Sequence, residues 1–268
     1  MKKQMLQNPY IAVRTDSGRI SYGGDQSWLS TDVERSFGCG LIASADILRY
    51  LRRKCRLEQT SEGKDILTET VETVTAFTGN SIGKQEYLED IRELSKDFRI
   101  RGKLGITGFG LARRMNRIFR RENLPYRSKW SIGKRRLERR LPEMLEADIP
   151  VLLSVGPGFF HTGQRLSLYR SKGEGVYERE NSMRDHYVTV TGRLSAETPA
   201  TAGRDSGGTE GGKSGGTDAR QRIEAGEDLL RISSWGEEYY LRYDEYIDHV
   251  KKYDNVLFSS ILYIRRKG

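Results

Sequence analysis

Phe37-Gly38-Cys39-Gly40-Leu41-Ile42-Ala43-Ser44-Ala45-Asp46-Ile47-Leu48-Arg49-Tyr50-Leu51 is the stretch whose reading decides the fold. Two glycines flank a cysteine, and the residues behind it read as a helix. From Leu41 to Leu48 only Ser44 and Asp46 are polar. A helix apolar on nearly every side is a buried one. Its polar face begins at Arg49 and continues through Arg52, Arg53 and Lys54, where it leaves the core. Cys39 therefore stands at the N-terminal mouth of a central helix. Unpaired backbone N–H groups and the positive end of the helix dipole gather there. A thiol so placed is expected to have a lowered pKa and to be a better nucleophile. Gly38 and Gly40 are expected to let a substrate backbone approach the sulfur. The competing reading is a small residue filling a tight turn.

Composition narrows the classes. The chain has 268 residues and is polar, with 36% hydrophobic residues, but 14 Tyr and 8 Phe supply core material. No apolar run approaches the ~18 residues needed to span a bilayer. The N-terminus, Met1 to Pro9, has two lysines with no apolar stretch behind them, unlike a secretory signal. Cys39 and Cys55 would lie about four turns apart on one helix, too far to bridge. These features predict a cytoplasmic protein. Three histidines and two cysteines, widely spaced, argue against a structural metal.

Working outward, residues 10–28 read as short strands and turns. Helices are expected over 64–78, 84–97 and from Thr107-Gly108-Phe109-Gly110 to about Arg121. Another starts near Lys134, with Pro142 expected to kink or restart it. Residues 149–155 read as a buried strand entered at Pro150. From there the period changes to two. Strands are expected over 166–169, 175–179, 186–191, 229–233, 239–243 and 257–264, with a short helix over 244–252. Helices first and antiparallel strands second make an α+β order. Residues 195–227 interrupt it with eight glycines and one large aliphatic residue, Ile223. That composition predicts a flexible loop inserted between two paired strands.

A cysteine nucleophile needs a base, and the base needs an orienting group. His186 opens the β-branched run His186-Tyr187-Val188-Thr189-Val190-Thr191. His161, in a Gly/Pro loop, and His249, in a charged helix, are weaker candidates. The following strand ends in Ser233-Ser234-Trp235-Gly236. A cysteine at a helix mouth, a histidine heading a later strand and a Ser-Trp-Gly strand end resemble the papain-like cysteine peptidases. The Cys-to-His distance suits them. Gly-Cys-Gly, with Asp25-Gln26-Ser27-Trp28 upstream, is most similar to bacterial relatives of the double-glycine leader peptidases.

The resemblance covers most of residues 20–265, in short motifs. It implies one papain-like α+β domain over 1–268, with a mainly helical half (1–148) packed on a twisted antiparallel half (149–268). It implies thiolate attack by Cys39, His186 as base and then acid, Gln26 as oxyanion donor, and Ser233 as the group orienting the histidine. It implies no metal or organic cofactor. A peptide or protein is the first substrate reading; an amidase or acyl transferase uses the same groups. Ser233 departs from the family's Asn or Asp, and a serine carries no charge to steady an imidazolium. The rival is therefore a catalytically silent module of this fold.

Net charge is +9, and it is local. Residues 99–140 carry 15 Lys and Arg against Glu122 and Glu138, leaving the rest of the chain net negative. Arg113, Arg114 and Arg117 could dock an acidic partner. Arginines opposite Leu111, Met115 and Ile118 also fit a solvated face. No helix-turn-helix, zinc-finger or RNA-binding motif accompanies them, so no specific nucleic-acid recognition is expected.

Overall fold

A computed structural model describes residues 2–61, 81–98, 100, 105–156, 165–173, 175–195, 222–223, 226–253 and 259–267. The expected helix over 64–78, His161 and most of the 195–227 insertion lie outside them. The strands are β1 (Lys2–Met5), β2 (Ala12–Arg14), β3 (Ile20–Tyr22), β4 (Ile82–Gly83), β5 (Tyr126–Ser131), β6 (Val151–Val155), β7 (Leu166–Gly173), β8 (Val176–Met183), β9 (His186–Ser195), β10 (Arg222–Ile223), β11 (Leu229–Ser234), β12 (Glu237–Arg242) and β13 (Ile261–Arg266). The helices are α1 (Asp32–Phe37), α2 (Cys39–Ser61), α3 (Lys84–Asp97), α4 (Gly108–Arg121), α5 (Lys134–Glu146) and α6 (Tyr243–Tyr253).

The molecule is α+β. Among the described residues ten strands form one sheet, in the order β10-β8-β7-β12-β11-β9-β6-β13-β5, with β1 on β9. Every pairing in it is antiparallel. β11 lies directly on β9, so the strands on either side of the glycine-rich insertion are neighbours. β2, β3 and β4 make a small separate sheet. Among the described residues no helix is long and apolar enough to cross a membrane.

α2 is the centre. Leu41, Ile47, Leu48 and Leu51 are fully buried, and the helix packs on β9. Its far end is anchored by polar bonds: Tyr50 donates to Asp148, and Lys54 Nζ lies 3.2 Å from the same carboxylate. Cys39 and Cys55, one near each end, are both free thiols.

The structure adds one strand to the sequence reading and refines it at two other places. β5 was hidden because Tyr126-Arg127-Ser128-Lys129-Trp130-Ser131 has only two large apolar side chains, Tyr126 and Trp130, among charges and serines. The chain nonetheless pairs with β13 from Tyr126↔Arg266 to Ser131↔Ile261. The outer edge of β5 is closed by Asn116, which bonds both the N–H and the carbonyl of Ser128, protecting an edge that would otherwise invite pairing. Pro142 sits inside α5 without ending it. The 195–227 insertion is not loop at both its ends: Ser195 continues β9, and Arg222–Ile223 pairs with β8. Ile223 is fully buried beside Tyr169, Tyr177, Leu194, Leu229 and Tyr240, which is why the segment's one large aliphatic residue lies where it does.

Candidate active site

Cys39 opens α2 immediately after α1. Gly38 joins the two helices, and its carbonyl accepts from the Leu41 and Ile42 N–H groups. A side chain at Gly38 would strike the Glu34 carbonyl and Leu29; one at Gly40 would press on the Tyr187 ring. These glycines let α1, α2 and β9 pack closely around the cysteine.

Cys39 keeps partial exposure. His186, buried at the head of β9, lines the same small cavity, of about 20 Å³. That is room for roughly one water. Gln26, Asp46, Tyr187, Ser233, Ser234 and Trp235 share its wall. All four residues singled out from the sequence therefore meet here. No hydrogen bond among the described contacts yet joins the Cys39 thiol to the imidazole.

The histidine's orienting partner is not Ser233 but its neighbour. His186 Nε2 lies 2.9 Å from Ser234 Oγ. Ser233 Oγ instead donates to the Tyr22 carbonyl at 2.7 Å. Successive strand residues face opposite sides, so only one of the two serines can reach the ring. For Nδ1 to face the thiol as a base, Nε2 must carry the proton and donate to Ser234.

Trp235 stacks on the imidazole, with centroids 4.6 Å apart and planes inclined by 21°. It does so from an uncommon backbone conformation. Trp235 and Gly236 join β11 to β12 with φ of 51° and 71°. Positive φ at both central residues is the signature of a type I′ hairpin, usually built from Asn, Asp and Gly. A tryptophan there is strained by about 1–3 kcal/mol, and the strain is spent on covering His186. The turn before His186 holds a second such residue, Asp185, with φ of 50°.

The hairpin tip docks on the loop that carries Gln26. Tyr22 N–H donates to the Gly236 carbonyl at 2.8 Å, and Gly236 N–H donates to the Gly24 carbonyl at 3.0 Å. Asp46, two turns along α2 from Cys39, holds the loop from beneath. It accepts from Tyr87 Oη at 2.7 Å, Tyr10 Oη at 3.0 Å and the Gly24 N–H at 3.2 Å. Gln26 Nε2 donates to the Arg35 carbonyl at 2.9 Å, leaving one amide hydrogen for other use. Its Oε1 is buried without a partner.

Electrostatics favour neutral groups. Burial pushes the Cys39 thiol up, the N–H groups of Tyr187, Gly40 and Cys39 pull it partly back, and the Asp185 carboxylate adds a small push upward. The lowered thiol pKa expected at a helix mouth is not met, because burial outweighs the N–H groups. Burial also takes the His186 imidazole down to about 4. The resting pair is thiol plus neutral imidazole. Burial raises the Asp46 carboxyl to about 6, despite its three hydrogen bonds.

Asp46 and Ser234 were missed by sequence reasoning. Asp46 carried a signal: a carboxylate on the apolar face of a buried helix must find partners. Among the described residues no group of three or more His, Cys, Asp or Glu is placed to hold a metal. Comparison of the chain with protein-family models, curated proteins and solved structures gives no match.

The two serines make separable predictions. Ser234→Ala should leave His186 Nε2 without its partner and free the ring, seen as a changed His186 titration by NMR. Ser233→Ala should leave that titration alone and cost about 1 kcal/mol of stability, the worth of one hydrogen bond. Equal effects of the two on the titration would contradict the geometry.

Proposed function

We propose that the protein is a cysteine-dependent hydrolase of the papain-like kind, acting on a peptide or related amide. One observation carries the reading: the thiol at the mouth of α2 and the imidazole at the head of β9 line one cavity, and that imidazole is pinned by Ser234 and covered by a strained Trp235.

In the reaction the Cys39 sulfur attacks the acyl carbon while its proton passes to His186 Nδ1. The tetrahedral oxyanion is received by the Cys39 N–H and the free hydrogen of Gln26 Nε2. His186 then gives the proton to the leaving amine, and a thioester remains. Water attacks the thioester with His186 again as base, releasing the acid and restoring the thiol. Among the described residues no carboxylate bonds the imidazole to steady its charged form. The face of Trp235 does so instead, as a ring stacked on a cation.

The test is incubation with a library of peptides and read-out of new termini by mass spectrometry. Cleavage by the parent and none by Cys39→Ala is expected. Cleavage that survives Cys39→Ala, or none by either protein while Cys39 reacts no differently from a plain thiol, rejects the reading in favour of a silent module.

A further inference from the structure

Part of the positive charge on α4 is engaged within the molecule. On α4, Arg114 donates to the Asp97 carbonyl at 2.6 Å and stacks over Phe98. Arg117 and Arg121 both face the Asp97 carboxylate, at 3.8 and 2.6 Å. Much of that arginine set is engaged within the molecule, so Arg113, Arg114 and Arg117 do not form a free docking row.

A different set converges on the other side of the sheet. Tyr126 and Ser128 face inward from β5, the first contacting Cys55 of α2 and the second bonding Ala112 of α4. Arg127 and Lys129 therefore face outward, toward the side on which α5 lies. Arg127 is directly opposite Arg265 of β13, and Lys129 is opposite Tyr263. Like charges directly opposite destabilise a ladder. From α5, Arg140 lies over the Tyr263 ring at 4.7 Å, and Lys129 Nζ lies 5.5 Å from the same ring. Arg140 is only 8% exposed; it donates to Ser131 Oγ at 2.6 Å. Arg136 stands one turn before it and is exposed.

Few acids answer these cations. The nearby Glu143 accepts from the Tyr263 hydroxyl. Among the described residues no carboxylate forms an ion pair with Arg127, Lys129, Arg136 or Arg265. The Lys129 ammonium is accordingly held below its ordinary range, first by Arg140, then by burial, Arg265, Arg136 and Arg127. Such a cluster is a standing electrostatic cost that an external polyanion would relieve.

The face also lacks what other partners need. Exposed large apolar side chains among the described residues are Ile20, Val33 and Phe109, on other elements. A protein partner needs an apolar centre to bury, and a membrane-surface site needs apolar groups to insert. Stacking of unpaired bases needs exposed aromatic rings, whereas Tyr263 is buried. Binding to a phosphate backbone needs only cations on an accessible face.

We propose that the face formed by β5, β13 and α5 docks the phosphate backbone of a nucleic-acid duplex, without reading its sequence, through the exposed Arg127, Lys129, Arg136 and Arg265, with the buried Arg140 adding to the positive field behind them. The proposal is independent of the chemistry at Cys39.

The probe is a fluorescent 20-base-pair DNA duplex of arbitrary sequence, titrated by anisotropy from 50 to 200 mM salt. With about four phosphates neutralised, affinity should fall on the order of 10²-fold across that range. Arg127→Glu with Lys129→Glu and Arg265→Glu, all exposed positions, should abolish binding at 50 mM salt. Arg113→Glu on α4 should change it less than about threefold. No binding by the parent at 50 mM salt would overturn the proposal. So would undiminished binding by the triple variant, or tighter binding to phosphatidylserine vesicles or polyglutamate than to the duplex.

Discussion

Asp46→Asn is expected to make the fold lose about 3 kcal/mol of stability between pH 6.5 and pH 4, in a window where the parent changes little. Two buried groups titrate across that window with opposite signs. Asp46 has its carboxyl raised from 3.8 to about 6 in the fold. A raised pKa contributes stability that is complete below about pH 4 and is lost as pH rises through about 6. His186 has its imidazole lowered from 6.5 to about 4. Its contribution is complete above about pH 6.5 and is lost as pH falls through about 4. At about 1.4 kcal/mol per pKa unit, each is worth about 3 kcal/mol. In the parent the two nearly cancel. Removing the Asp46 charge leaves the His186 loss uncovered, while at pH 7 it removes the cost of a buried carboxylate. Asp46→Ala is different: it strands Tyr10, Tyr87 and the Gly24 N–H, at about 1–3 kcal/mol for each buried donor left unpaired. Urea unfolding of the parent and both variants from pH 4 to 7.5 measures all three. A parent profile and an Asp46→Asn profile that run parallel would contradict the burial assigned to this carboxyl.

His186→Ala is expected to slow the reaction of Cys39 with an acyl electrophile at pH 7 by roughly 10²–10⁴, the usual worth of a positioned base. The resting thiol is neutral, so attack depends on proton removal as the bond forms. Removing the ring also strips Trp235 of its stacking partner. His186→Gln retains more of the packing and separates the two effects. It should recover Trp235 fluorescence toward the parent and leave the reaction slow. A His186→Gln variant that reacts at the parent rate would place the base elsewhere.

The α+β order was legible because α2 and β9 carry unmistakable periodicities. Leu41 to Leu51 can only be a buried helix, and His186 to Thr191 only a buried strand. Cys39 and His186 followed from where such elements begin, and Gln26 only from the resemblance. What failed was finer. Whether Ser233 or Ser234 meets the histidine depends on the face of one strand, and the motif points one residue too early because Ser233 is needed at the Tyr22 carbonyl. The thiol's pKa depends on how deeply the helix mouth is covered, which no local pattern records. β5 was illegible because its outward residues are the charges of the α5 face and its inward ones, Tyr126, Ser128 and Trp130, alternate with them over too short a run. The arginine-rich segment showed its charge but not which side chains Asp97 would occupy.

The most direct test of the central claim, that Cys39 and His186 act as one unit, is the pH profile of alkylation by iodoacetamide, followed by mass spectrometry at both cysteines. Cys55 serves as the internal thiol, since its pKa is also raised, first by burial. The account predicts that Cys39 reacts between pH 5 and 8 at a rate well above its thiolate fraction. That excess should vanish in His186→Ala and have no counterpart at Cys55. A Cys39 profile that follows a single thiol titration above pH 9, unchanged by His186→Ala, would contradict it.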